Sequence, residues 1–420
     1  MKPLHGTRLL ILGQRGLNRL SELRIQLGLS FAAREELHRE QDEPLHDIGI
    51  DSAIREGLAW IGRAQENSLS SDGGVAHHYC LITGWSTSYP ETTGYIIPTM
   101  IREAEISGDM RLWERARRML DWLVSIQMPG GGFQGGPIGY RYVVPVTFNT
   151  GQILIGLAAG ASKLGSTYGK AMISAADWML RAQDADGCWR KHSTPFARGG
   201  EKAYEVHAAW GLLEAARLEP DRGYAEAALR NMNWALSQQN SAGWFANCCL
   251  SDRHRPLTHT LGYAVRGLLA GYEFSGEQKL LAGARKAADG LLTALQSDGF
   301  LPGRLDSQWR GTVAWACLTG TAQIAACWFL LHRATGKEEY LKAALLANRY
   351  VRSRVRLTGP PETRGAVKGS FPIAGQYAKF QYPNWACKFL IDSNRLEAEV
   401  NEGQREFAPA HYSRTASPVY

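Results

Sequence analysis

The stretch "ADWMLRAQDADGCW", residues 176–189, decides how this chain is read. A helix with one apolar face runs into a glutamine, Gln183. A short polar turn, a glycine and an aromatic residue follow. Four other segments end alike: "LAWIGRAQENSLSSDGG" (58–74), "LDWLVSIQMPGGGF" (120–133), "MNWALSQQNSAGWF" (232–245) and "ADGLLTALQSDGF" (288–300). The glutamines Gln65, Gln127, Gln183, Gln239 and Gln296 are separated by 62, 56, 56 and 57 residues. Trp60, Trp122, Trp178 and Trp234 stand at the same distance before the first four, and Leu291 before the fifth. A sixth helix, "YLKAALLANRYVRSRV" (340–355), has Tyr350 in the equivalent place and no glutamine. Self-similarity at a fixed period marks a repeat architecture.

A second set of helices lies between these. They are "PETTGYIIPTM" (90–100), "VTFNTGQILIGLAAG" (146–160), "AYEVHAAWGLLEAA" (203–216), "THTLGYAVRGLLAG" (258–271), "ACLTGTAQIAACWFLL" (316–331) and "YPNWACKFLIDS" (382–393). A helix that is apolar all round is a buried helix. The first set carries charge on one face, as in "LWERARRMLDWLVSIQ" (112–127), and so lies outside. Six such pairs predict an all-α fold, an (α/α)6 toroid of six helical hairpins in a closed ring over residues 49–393. Residues 1–48 read as a helical extension, with one charged amphipathic helix over 17–47. Residues 394–420 read as a disordered tail. The glutamine, glycine and aromatic of each repeat are expected to cap, turn and pack rather than to carry chemistry.

Composition narrows the function classes. The chain has 420 residues, 45% hydrophobic, with a net charge of +7 from 47 Lys+Arg and 40 Asp+Glu. No run of five basic residues occurs, which argues against a nucleic-acid partner. The seven cysteines are odd in number and lack C-x-x-C spacing, so a reducing, cytoplasmic setting is expected. No segment approaches 18 apolar residues, so no transmembrane helix is expected. The run Leu9–Leu12 is too short for the core of a signal peptide.

The segments "RAQDADGCW" and "SIQMPGGGF" resemble the repeat signatures of terpenoid cyclase and prenyltransferase toroids. The same ring is shared by six-hairpin glycosidases, several polysaccharide lyases and the glucuronyl epimerase catalytic domain. The resemblance covers about residues 50–393 and implies fold more than activity. The stretches "GWSTSYPETTGYIIPT" (84–99) and "KGSFPIAGQYAKFQYPNWACKF" (368–389) resemble bacterial proteins associated with surface-polysaccharide synthesis. Polysaccharide-assembly proteins are the partners that this resemblance implies. Isoprenoid chemistry in such toroids uses Asp-rich motifs or a zinc set; the chain has no adjacent Asp-Asp pair. No cofactor and no metal are expected, and Cys248, Cys249, His254 and His259 are poorly spaced for structural zinc.

In an α/α ring the inner-helix N-termini and the loops before them converge at one end. Aligning the repeats places Tyr89, Glu91, Asn149, Gln152, Glu205, His207, His259, Tyr263, Thr319, Gln323, Asn384 and Lys388 there. Trp210 lies one turn beyond His207, and the loops add Trp85, Arg141, Tyr142, Asp306, Trp309 and Arg310. Sugar rings pack their C–H faces on aromatic rings and pair their hydroxyls with amides. A poly- or oligosaccharide ligand is therefore expected, an acidic one where Arg141 or Arg310 clamps a carboxylate. Two mechanisms fit. Hydrolysis would pair Glu91 with Glu205, or with Asp306 as a substitute. Uronate elimination or epimerisation would use His207, His259 or Tyr142 to move a proton. A non-catalytic glycan-binding scaffold and an isoprenoid-handling enzyme are the alternatives. A mouth lined with paired carboxylates would favour hydrolysis, a His/Tyr/Arg/Asn set the uronate chemistry, and an apolar barrel floor the isoprenoid.

Overall fold

A computed structural model of the chain describes residues 28–42, 45–194, 196 and 199–403. A first helix, α1 (Phe31–Asp42), precedes the ring. The outer helices are α2 (Ile50–Glu66), α4 (Met110–Ile126), α6 (Ser166–Ala182), α8 (Tyr224–Ser237), α10 (Gln278–Ala294) and α12 (Glu338–Arg352). The inner helices are α3 (Pro90–Ser107), α5 (Thr147–Leu164), α7 (Val206–Leu218), α9 (Thr258–Ser275), α11 (Leu318–Thr335) and α13 (Asn384–Gly403). Each inner helix packs on the next, and α13 packs back on α3 and α2, which closes the ring. The chain is an (α/α)6 toroid.

The two sets differ as their sequences dictate. In α4 the buried residues are Leu112, Ala116, Met119, Leu120, Trp122 and Leu123, one stripe at helical spacing. In α5 every residue from Thr147 to Gly160 is buried. Links from an inner helix to the following outer helix are short. Links from an outer to an inner helix are long and gather at the inner-helix N-termini, so all six contribute to one mouth.

The repeat signature is a staple between neighbours. Gln127 donates from Nε2 to Gly131 O (2.9 Å) in its own turn and to Ala171 O (2.9 Å) on the next outer helix. Gln183 does the same with Gly187 O (3.0 Å) and Ala227 O (2.8 Å). Gln239 does so with Gly243 O (3.0 Å) and Gly283 O (2.9 Å), and Gln65 with Gly73 O (2.9 Å) and Arg115 O (3.2 Å). The Trp122 ring covers Gly74 of the preceding repeat and leaves no room for a Cβ there. A second ladder joins the outer helices: the Tyr168 hydroxyl donates to Asp121 (2.7 Å) and that of Tyr224 to Asp177 (2.6 Å). Replacing Gln183 with alanine removes both of these bonds and the one its Oε1 accepts from Arg230 (2.9 Å), while Gly187 O keeps its bond from Asn231 (2.8 Å). We expect a loss of about 2 kcal/mol, read as a lower denaturant midpoint at unchanged slope.

The last boundary needs correction. The final helix runs to Gly403, not 393, because its polar side chains are satisfied in the core. Arg352 donates to Asn394 (2.8 Å) and Glu397 (2.6 Å), and Asn348 to Glu397 (2.8 Å). Of the helix expected over 17–47, the described part is α1. Residues 1–27 and the tail from 404 lie outside the described residues.

Short strands tie the connections together over the mouth. β1 (His78–Cys80) pairs antiparallel with β2 (Gly84–Trp85) and with β5 (Gln381–Pro383). β3 (Ala316–Cys317) pairs with β4 (Ser370–Phe371). The connection from α12 to α13 therefore crosses the mouth and is laced to the first and fifth repeats. Among the described residues no helix is long and apolar enough to cross a membrane.

Candidate active site

At the mouth the inner-helix N-termini present polar and aromatic side chains to the ring axis. His207, in the first turn of α7, accommodates Gln152 of α5 at its Nδ1 (2.9 Å to Oε1). His259, at the start of α9, is bonded in the same way to Oε1 of Gln323 on α11 (2.5 Å). An amide oxygen only accepts, so each Nδ1 carries the hydrogen and each Nε2 keeps its lone pair. Both imidazoles pack on Tyr263, with ring centroids at 4.6 and 4.5 Å. The Tyr263 hydroxyl lies 3.4 Å from that of Tyr95.

Burial sets the protonation states. It drives His259 down to about 4, against the Gln323 bond. It drives His207 well below the usual histidine range, and Lys388, Arg266 and His259 add to that. Both rings are therefore neutral at pH 7. The carboxyls move the other way. Burial raises Glu91 to about 7, opposed by the Tyr89 hydroxyl, which donates to Oε2 at 2.7 Å. Burial raises Glu205 to about 8, opposed by Lys202. Tyr89, Tyr95, Tyr263 and Tyr377 are all pushed up by burial and stay protonated.

Several polar atoms here are buried without a hydrogen-bond partner among the described residues. They include Gln152 Nε2, His207 Nε2, Glu205 Oε2, Gln323 Nε2 and Asn384 Oδ1. Buried polar groups are normally paired, so these atoms are the donors and acceptors that the site leaves open. Deeper along the axis the floor is charged. Arg266 lies over the Trp210 ring (4.0 Å), Trp210 donates to Glu214 (2.7 Å), and Lys388 pairs with Asp392 (2.6 Å). A cavity of about 30 Å³ remains there, room for about one water.

The expected residues divide. Tyr89, Glu91, Asn149, Gln152, His207, His259 and Tyr263 come together, with Asn149 beside Tyr89. Glu205 adjoins them through Tyr204, which feels both Glu205 and Glu91. Trp210 belongs to the floor. Asn384 uses its amide to donate to Ala76 O (2.9 Å) and so holds the first connection in place.

The loop residues do not join. Tyr142 is 52% exposed, with Arg141 stacked on its outer face, so a catalytic role does not fit its position. Arg310 is paired with Asp306 (2.9 Å) on an exposed loop, a pair one helical turn apart in sequence. Trp309 is buried against Trp244 (5.2 Å) and donates to Ala242 O (3.0 Å), a staple rather than a platform. Trp85 packs on Trp60 and Tyr79.

Four residues of the site were not singled out from sequence. His77, in the first connection, touches Tyr89 and Trp385, both at 4.7 Å. Tyr95 lies a turn inside α3. Tyr377 reaches in from the last connection to His259 (5.5 Å) and accepts from Trp385 Nε1 (2.8 Å). Trp385, next to Asn384 in "PNW", was recoverable from its phase in the repeat; His77 and Tyr377 have no repeat counterpart.

No family model matches the sequence, and no curated protein matches it. Solved structures do. An unsaturated glucuronyl hydrolase specific for heparin superposes with TM-score 0.67 at 15% identity, over 85% of this chain and 99% of that one. A D-mannose isomerase gives TM-score 0.65 at 12% identity, over 86% and 100%. The fold shared with these structures is the (α/α)6 toroid. A cellobiose 2-epimerase from Bacillus thermoamylovorans B4167 gives TM-score 0.64 at 10% identity, over 87% and 98%. These neighbours are carbohydrate-acting proteins, hydrolase and epimerase alike, and at such identities the likeness is one of fold. Among the described residues no group of three His, Cys, Asp or Glu could hold a metal ion.

Proposed function

We propose that this toroid is a sugar-active enzyme that moves a proton at carbon, in an epimerisation, isomerisation or elimination. The observation that carries this reading is the pair of His–Gln units, His207 with Gln152 and His259 with Gln323, both packed on Tyr263. A neutral imidazole held at Nδ1 offers a positioned general base at Nε2. One histidine takes the proton from the carbon next to a carbonyl or carboxyl group. That histidine, once it carries the proton, or a protonated Glu91 returns a proton to the substrate. Glu91 and Glu205 suit acid roles, since burial favours their protonated forms near neutral pH.

Hydrolysis is supported less well. It needs one carboxylate ionised opposite a protonated one, and burial pushes both candidates up. An isoprenoid ligand would meet Arg266, Lys388 and Asp392 at the floor. The resemblance of residues 84–99 and 368–389 supports surface-glycan assembly as the setting.

The test is isotope exchange. The protein is incubated in D₂O with mannose, cellobiose and glucuronate, and carbon-bound deuterium is followed by NMR. Deuterium beside the carbonyl carbon of one sugar is the expected result. Release of a reducing end from oligosaccharides with no carbon-bound deuterium would favour hydrolysis instead.

A further inference from the structure

A second pocket, of about 340 Å³, opens beside the mouth between the third and fourth connections. Its walls include Lys202, Asn247, Cys249, Ser251 and Arg253. Lys202 is 2% exposed, and its ammonium donates to the Gly200 carbonyl (3.2 Å). Arg304, half-buried nearby, donates to the Arg255 carbonyl (2.6 Å). Among the described residues, Lys202, Arg253 and Arg304 have no carboxylate in ion-pair range. The acidic groups around them are engaged elsewhere: Glu201 with Arg190 (2.7 Å) and Asp252 with Arg255 (2.9 Å).

Lys202 and Arg253 line the pocket together with Cys249. Burial pushes the Cys249 thiol up, Asp252 adds to it, and Lys202, Arg304 and Arg253 each oppose it. Lys202 is also the cation that acts on Glu205, so the pocket abuts the site on the axis. Burying an ammonium without a counter-ion is costly, and an anion arriving with the ligand would offset that cost.

We propose that this pocket is a subsite for an acidic sugar residue, whose carboxylate or sulfate ester is held by Lys202 and Arg253. The inference rests on the sugar-active reading of the axial site and adds to it an anionic substrate class. It also moves the acidic-group contact away from Arg141 and Arg310, to a place where the cations are unpaired.

Cys249 supplies a readout independent of turnover, because the other cysteines are buried. Its alkylation by iodoacetamide is followed by mass spectrometry with glucuronate, glucose 6-sulfate, glucose or inorganic sulfate, at ionic strength matched with chloride. Either acidic sugar should slow alkylation by about tenfold at saturation, while glucose should not. The two acidic sugars distinguish a carboxylate from a sulfate ester. Protection should vanish in Lys202→Met/Arg253→Ala; the single change Arg253→Ala, at an exposed residue, should weaken it about tenfold if the double variant does not fold. Equal rates in all solutions, or protection by inorganic sulfate alone, overturns the proposal. Protection by the acidic sugars with no deuterium exchange in any sugar would instead sink the catalytic reading and leave the pocket standing.

Discussion

Replacing His259 with asparagine lowers the rate of carbon-bound deuterium exchange by about 10²–10⁴-fold, the usual worth of a general acid or base. The side chain is 6% exposed, and its Nδ1 is occupied by Gln323, so Nε2 is the nitrogen left to accept a proton. Asparagine keeps a polar group of similar size, so the melting temperature should fall by only a few degrees. The pH profile separates a chemical role from a packing one. Burial drives His259 to about 4, and a base of that kind is lost only as pH falls through that value. The acidic limb due to this group should therefore lie near 4 rather than near 6.5. In Gln323→Glu a carboxylate would face the imidazole and favour its protonated form. That limb should then move to higher pH. A profile that does not move in Gln323→Glu, with full exchange in His259→Asn, removes His259 from the chemistry.

Lys368→Met should be the most destabilising single change outside the ring helices, at about 3–5 kcal/mol, the cost of stranding buried charge. The Lys368 ammonium sits between Glu36 (2.5 Å) and Glu40 (2.6 Å) of α1, and all three side chains are 4% exposed. Glu40 also accepts from the backbone N–H of Ile373 (3.0 Å to Oε2), and Arg356 approaches Glu36 (3.5 Å). Through these contacts α1 clamps the connection that carries Tyr377 into the site. Removing the ammonium leaves two carboxylates facing each other, with Arg356 beside Glu36 and the Ile373 N–H on Glu40 to offset them. Chemical denaturation should show the lost stability, and limited proteolysis should show cleavage within residues 356–383 that the wild type resists. Adding Glu36→Gln and Glu40→Gln should recover most of the loss, since neutral amides need no counter-charge. No recovery would mean that Lys368 acts through packing of its methylenes.

The ring was legible because each repeat writes its staple locally. Trp122, Gln127, Gly131 and Phe133 fall within one helix end and one turn, and the same spacing recurs at Trp178 and Trp234. The inner helices were legible from their apolar surface on every side. The phase of each inner helix then brought Glu91, Gln152, His207, His259 and Tyr263 to one end, because residues in the first two turns of neighbouring inner helices lie near one level. The loops obeyed no such rule. Arg310 found Asp306 four positions away, and a local ion pair forms before any ligand can compete. Trp309 is a large apolar ring beside Gly290, and burial against the preceding outer helix outweighs exposure at a mouth.

What the amino-acid order determined by itself was therefore everything periodic: the hairpins, their stacking, and the level of the inner-helix residues. Only the tertiary structure decided which of those residues meet. His207 takes Gln152 and His259 takes Gln323 across neighbouring helices, and Tyr377 enters from a connection pinned by Lys368 to a helix far away in sequence. Such contacts depend on ring closure and on strand register over the mouth. Neither leaves a trace at short sequence separation, because the side chains that meet are joined by space and not by period.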